Sequence, residues 1–220
     1  MNVYYWKIAG IRQIDLQPWT GIISEERLRR AKRFHREKDR VRCLCAEILL
    51  RYGLAQAGVQ KQAIRFGYQQ YGKPFLEGNH LPSFSISHSG DYVMCAIASE
   101  EIGADVEQCT DISSGLAKSV MTSVEYAHYL NLHPNMQNQY FFTVWTCKES
   151  VVKCIGTGLQ TPFPSIEIVT AGEKTQAVKD GKEIYSLCRI PLDEAYCSAV
   201  CMKHESVSKV IFVDAEQLLF

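Results

Sequence analysis

The chain has no excess of charge of either sign. Its 24 lysines and arginines are balanced by 24 aspartates and glutamates, which argues against a generic nucleic-acid binder. No apolar run is long enough to span a bilayer, so no membrane segment is expected. The opening Met1-Asn2-Val3-Tyr4-Tyr5-Trp6 lacks the basic start, apolar centre and small-residue cleavage site of a secretory signal, and residence in the cytoplasm is expected. The nine cysteines include no Cys-x-x-Cys pair, which disfavours a zinc site or a redox dithiol. Reduced thiols packed as small hydrophobes are the expectation. A Gly-x-Ser-x-Gly elbow is also missing, and no acid pairs obviously with His88, which sets aside a hydrolase triad.

Against these absences stand two short acidic motifs, Gly103-Ala104-Asp105-Val106-Glu107 and Trp145-Thr146-Cys147-Lys148-Glu149-Ser150. The first follows the apolar run Tyr92 to Ala98, and on an extended segment its two carboxylates project from one face. The second lies in a helical pattern, where Glu149 and Lys153 fall one turn apart on the same face. Three acids from two segments suit a hard cation that also holds phosphate oxygens. Asp105 and Glu107 taken alone are equally readable as a solvated strand end. Trp145 reads as core or cleft packing, and Lys148 as a surface partner for an acid.

The basic residues outnumber the acidic ones about two to one between Ser24 and Arg51, by default a solvated helix face. Residues 24–57 carry helix signals, with Ser24 as N-cap and Leu44, Ile48 and Leu49 at helical spacing. Strands are expected at Ile64–Tyr68, Phe84–Ser87 and Tyr92–Ala98, with a turn at Gly72-Lys73-Pro74. The order then recurs: helix from about Ser123, helix through Trp145 to Cys154, strands at Ile166–Val169 and Tyr196–Met202. Glu173–Lys182 is polar and rich in turn formers, so a mobile hairpin or loop is expected there. Glu47-Ile48-Leu49-Leu50 echoes Glu149-Ser150-Val151-Val152, Ile64-Arg65-Phe66 echoes Ile166-Glu167-Ile168, and Tyr92-Val93-Met94 echoes Tyr196-Cys197-Ser198. The offset is roughly a hundred residues each time, as a duplication requires. The expected fold class is α+β, with two similar halves, 1–103 and 104–220, and a site in the cleft between them.

Gly72-Lys73-Pro74, Phe84-Ser85-Ile86-Ser87-His88-Ser89-Gly90, Gly103-Ala104-Asp105-Val106-Glu107 and Trp145-Thr146-Cys147-Lys148-Glu149-Ser150, in this order, resemble the 4'-phosphopantetheinyl transferases, above all the monomeric, pseudo-dimeric type that activates peptide synthetase carriers. The resemblance implies transfer of the phosphopantetheine arm of coenzyme A to a serine of an apo acyl or peptidyl carrier protein, as in peptide antibiotic or fatty acid biosynthesis, with release of adenosine 3',5'-bisphosphate. It implies Mg2+ held by Asp105, Glu107 and Glu149, with Glu149 also the base, directly or through water, and Lys153 on the pyrophosphate or managing a proton. By the same likeness Arg27, Arg30 and Arg42 contact phosphates, while Lys73, Pro74, Ser87 and His88 border the nucleotide; guanidinium groups suit phosphate oxygens. The N-terminal half then serves coenzyme A, and the C-terminal half the metal and the carrier. Relatives often have lysine at Arg27 and Arg30 and aromatics at Val120-Met121. The segment Asp111 to Val124, where Ile112, Leu116, Val120 and Met121 recur at near-helical spacing beside the acids, is expected to form a carrier-docking surface with the stretch after Gly156; core packing is the other reading of Val120 and Met121. An inactive coenzyme A or carrier-binding module is the alternative function.

Overall fold

In the computed structural model, residues 1–172, 174–204 and 206–219 are described, Leu159 by its backbone alone. The elements are β1 (Asn2–Lys7), α1 (Glu25–Ala31), α2 (Glu37–Gln56), β2 (Phe66–Tyr68), β3 (Pro74–Leu76), β4 (Ser83–Ser89), β5 (Tyr92–Ala98), β6 (Ile102–Gln108), α3 (Ser114–Val120), α4 (Ser123–Asn131), α5 (Pro134–Ile155), β7 (Ile166–Ala171), β8 (Lys174–Lys179), β9 (Glu183–Arg189), β10 (Tyr196–Met202) and β11 (Lys209–Phe212).

Two sheets form the centre, one ordered β11-β1-β5-β4 and the other β6-β10-β9-β8-β7. Within each, three strands repeat one design. β5 lies antiparallel between β1 and β4, and β10 lies antiparallel between β6 and β9. Long helix α2 follows β1, and α5 follows β6, giving two similar halves. The alternation of side chains along the strands sorts the core into layers. Tyr4, Trp6, Val93, Cys95 and Ile97 face α2. Val3, Tyr5, Met94 and Ala96 on the opposite face meet Ala104, Val106 and Val200 of the second sheet. Ala199 and Cys201 then face Cys147, Val151 and Cys154 of α5. The halves are not cut cleanly in sequence, because β11 returns to pair in parallel with β1.

One expectation changes and two alternatives are decided. The helix read through residues 24–57 is two helices, capped separately: Ser24 accepts from the Arg27 N–H, while α2 starts after Arg36 with Glu37 and Asp39 in its first turn. Of the mobile hairpin or loop expected at Glu173–Lys182, the hairpin is what forms: strand β8 pairs antiparallel with β7 and β9; Glu173 itself lies outside the described residues. Its polar sequence fits a sheet with one face in water, since Thr175 and Ala177 alone carry the inward pattern. Val120 and Met121, offered as docking anchors, are buried among Phe141, Phe142 and Val144.

Gly103 is where α5 crosses β6. A Cβ there would lie 1.8 Å from the Ser150 carbonyl oxygen and 2.4 Å from the Cys154 nitrogen. Both are backbone atoms of α5, which cannot rotate away. Gly103→Ala is therefore expected to push the helix off the strand that carries the acids, costing about 3 kcal/mol or more, as overpacking does at its upper end. A denaturant midpoint equal to that of the wild type would refute this.

Candidate active site

The site forms where β4 and β6, edge strands of the two sheets, run side by side. Ser85, Ser87 and Ser89 alternate on β4 and so share one face. Each reaches β6. The Ala104 N–H donates to Ser85 Oγ at 2.9 Å, Ser87 Oγ donates to Asp105 Oδ1 at 2.7 Å, and Ser89 Oγ donates to Glu107 Oε2 at 2.6 Å. This serine ladder takes the place of a backbone ladder at the seam and fixes both carboxylates.

Lys153, on α5, donates to the same Asp105 oxygen at 2.5 Å, to Ser87 Oγ at 3.1 Å and to the Ala104 carbonyl at 3.3 Å. Asp105 is 2% exposed, and its other oxygen, Oδ2, is buried with no hydrogen-bond partner. Such an oxygen is costly without a donor or cation. Burial raises Glu107 above the usual carboxylate range, and the charges of Asp105 and Glu149 add to the rise. Burial also raises Glu149, with Lys153 opposing and Asp105 reinforcing the shift. No hydrogen bond or ion pair holds Glu149 among the described residues.

These features fit a divalent cation: hard oxygen donors, mutual repulsion that a positive charge relieves, and one orphaned oxygen. Among the described residues, no group of three or more His, Cys, Asp or Glu is drawn tightly enough to enclose an ion in the present arrangement. The Lys153 ammonium occupies the cationic position beside Asp105 instead.

A cavity of about 270 Å³ opens beside this cluster, lined by Glu149 and Lys153 at one end and by Lys73, Pro74, Phe84 and Ile86 among others. Pro74 and Phe84 also line a recess that holds Arg27, Arg30 and Tyr68. Arg30 is exposed and Arg27 half-buried, its Nε 3.4 Å from Glu47 Oε2. Lys73 pairs with Glu101 and donates to the Cys154 carbonyl at 3.0 Å. Arg42 pairs with Asp39 and donates to the Gly90 carbonyl at 2.9 Å. His88 is held down at a pKa of about 4, chiefly by burial and then by Lys153, Arg42 and Arg27, so its ring is neutral near pH 7.

Sequence reasoning missed Phe84, Ile86, Val152, Gly156 and Gly158, which shape the cavity without bearing any chemistry. It missed the ladder too, although the period-two serines of β4 were its visible signal. Lys148 does pair with an acid, but not at the surface. It is fully buried and donates to Glu125 Oε2 at 2.6 Å, the Val120 carbonyl at 2.9 Å and the Phe163 carbonyl at 3.2 Å. Trp145 packs edge-on against Phe163, as a packing role requires.

The described residues contain no helix long and apolar enough to cross a membrane. A family model described as the 4'-phosphopantetheinyl transferase superfamily matches residues 101–201, and one for the N-terminal part of a 4'-phosphopantetheinyl transferase matches residues 13–101. A 4'-phosphopantetheinyl transferase of Bacillus subtilis is 34% identical over 185 residues, 83% of this chain and 83% of its own. The 4'-phosphopantetheinyl transferase Sfp of Bacillus subtilis (strain 168) is 33% identical over 224 residues, 97% of this chain and 100% of its own. The 4'-phosphopantetheinyl transferase gsp of Aneurinibacillus migulanus is 32% identical over 190 residues, 86% of this chain and 79% of its own. With both halves matched and a cavity between them lined by Lys73, Glu149 and Lys153, the chain is an enzyme that belongs to the 4'-phosphopantetheinyl transferase family.

Proposed function

We propose that the cleft binds coenzyme A and passes its 4'-phosphopantetheine group to a serine hydroxyl of an apo acyl or peptidyl carrier protein. The observation that carries this reading is Glu149, an unpaired acid on the cavity wall one helical turn from Lys153 and beside the buried Asp105. Asp105, Glu107 and Glu149 would hold Mg2+, which when bound supplies charge stabilisation to the pyrophosphate oxygens. Lys153 would hold the pyrophosphate and keeps Asp105 oriented. The serine oxygen attacks the phosphorus nearer the pantetheine, and the bond from that phosphorus to the oxygen bridging to the second phosphate breaks. Adenosine 3',5'-bisphosphate leaves. Glu149 takes the serine proton, directly or through one water. The N-terminal half, residues 1–103, supplies the phosphate and adenine contacts, and the rest supplies the acids and carrier docking.

The test is incubation with coenzyme A, Mg2+ and a panel of apo-carriers, read by intact mass. A gain of one phosphopantetheine on a carrier is expected, and no gain on any carrier under conditions where coenzyme A binds would overturn the reading.

On this reading the 3'-phosphate of coenzyme A meets guanidinium groups from Arg27, Arg30 and Arg42, with His88 nearby. A charge-assisted contact contributes about 1.5 to 3 kcal/mol, so dephospho-coenzyme A should bind roughly 10- to 150-fold more weakly. Equal affinities by calorimetry would withdraw the arginine and His88 assignments. Carrier docking narrows to the exposed part of α3: Leu116 is 40% exposed, whereas Val120 and Met121 are each 3% exposed and belong to the core. Leu116→Asp should raise the carrier KM, by about tenfold if Leu116 is an anchor, and leave coenzyme A affinity unchanged. A parallel loss of both would remove Leu116 from the docking surface.

A further inference from the structure

Cys109 and Cys197 stand 88 positions apart in sequence, yet their sulfurs lie 3.6 Å apart. Strand register explains why. Cys197 on β10 is opposite Glu107 of β6, and the Cys109 N–H, just past the strand, donates to the Ala195 carbonyl at 2.7 Å. Cys109 and Cys197 are therefore diagonal neighbours on one face of an antiparallel pair, where side chains meet. Cys197 also lines a cavity of about 370 Å³ together with Thr143, Cys188 and Arg189, on the far side of β10 from the β4–β6 seam. Its sulfur is 3.5 Å from Thr143 Oγ1. No Cys-x-x-Cys spacing announces this pair; tertiary structure alone brings the two thiols together.

We propose that Cys109 and Cys197 are a redox modification site, a dithiol that a peroxide closes to an intramolecular disulfide clamping the end of β6 to β10. Cys197, at the cavity wall, attacks one peroxide oxygen. The O–O bond breaks, one water leaves, and the sulfur becomes a sulfenic acid. The Cys109 sulfur then displaces the hydroxyl from that sulfur, and a second water leaves. Two thiols lose two electrons and two protons, and one hydrogen peroxide is reduced to two waters. A thiol reductant reverses the change. The closed loop spans most of the C-terminal half, including α3, α4 and α5, so the bond restricts the unfolded chain strongly.

Two other thiol arrangements compete. Cys154 and Cys201 also meet, within the core under α5, and Cys188 shares the cavity with Cys197. The experiment exposes the intact, reduced enzyme to limited hydrogen peroxide, blocks remaining thiols and maps linked peptides by mass spectrometry. Melting is followed in parallel. Expected are a loss of two hydrogens, a Cys109–Cys197 linked peptide, and a melting temperature higher by about 5 °C or more, all reversed by dithiothreitol. Cys109→Ser and Cys197→Ser, verified as folded by circular dichroism, should show none of these. A Cys154–Cys201 or Cys188–Cys197 link, an intermolecular link, retention of all thiols, or a linked chain that melts no higher than the reduced one would each overturn the proposal.

Discussion

Asp105→Ala is expected to lower transfer by roughly a thousandfold or more, the scale of about 4 kcal/mol of lost transition-state stabilisation. Asp105 meets every demand on the site at once. One oxygen takes the Lys153 ammonium and the Ser87 hydroxyl, and the other is buried without a hydrogen-bond partner. Removing the side chain strips the donor set of its most buried member and frees Lys153 from its anchor. The loss should fall on kcat, because charge on the attacked phosphate and the leaving group develops in the transition state. Glu149→Ala should match it, for it removes the unpaired acid at the cavity wall. The fold should survive both changes: Lys153 keeps the Ala104 carbonyl, and among the described residues no hydrogen-bond partner depends on Glu149. Measurement is kcat/KM at saturating Mg2+, with melting recorded alongside. Near-wild-type turnover in either variant would falsify the acid assignments.

Lys148→Met is expected to produce the largest loss of stability, about 3 to 5 kcal/mol, because breaking a buried pair leaves its partner's charge uncompensated. The ammonium satisfies three acceptors and joins four pieces of chain. It rises from α5 to the Val120 carbonyl at the end of α3, to Glu125 of α4 and to the Phe163 carbonyl before β7. Glu125 in turn accepts from the backbone N–H groups of Thr122 and Ile168. Burial pulls the Lys148 pKa below that of an ordinary lysine, and the charge of Glu125 opposes the fall. In a chain of this size the loss corresponds to a drop of about 6 to 20 °C in melting temperature. Adding Glu125→Gln should recover part of it, since the glutamine oxygen still accepts from one N–H and no buried charge remains. If the double variant melts below the single one, electrostatics is not what makes Lys148 matter.

The sequence by itself determined what local pattern determines. Tyr92–Ala98 and Tyr196–Met202 are strands with the bounds that short, mostly apolar runs gave them. The two acids of β6 and the Glu149–Lys153 pair of α5 fall at spacings that a strand and a helix convert directly into shared faces. The duplicated order of elements was legible for the same reason, since each repeat carries its own periodicity.

Only tertiary structure decided what the repeated residues do. Glu47 and Glu149 are echoes in sequence, yet Glu47 is buried between Arg27 and Arg51 and bonded to Ser24, while Glu149 is left free at the cavity. The difference comes from α1, which folds over α2 and brings Arg27 and its N-cap Ser24 to the first acid, beside Arg51 of α2 itself, whereas among the described residues nothing equivalent covers the second. The serine ladder, the burial of Lys148 and the Cys109–Cys197 contact arise in the same way. Each depends on which strand edge or helix comes to lie alongside another, and no spacing along one segment encodes a partner that lies many residues away.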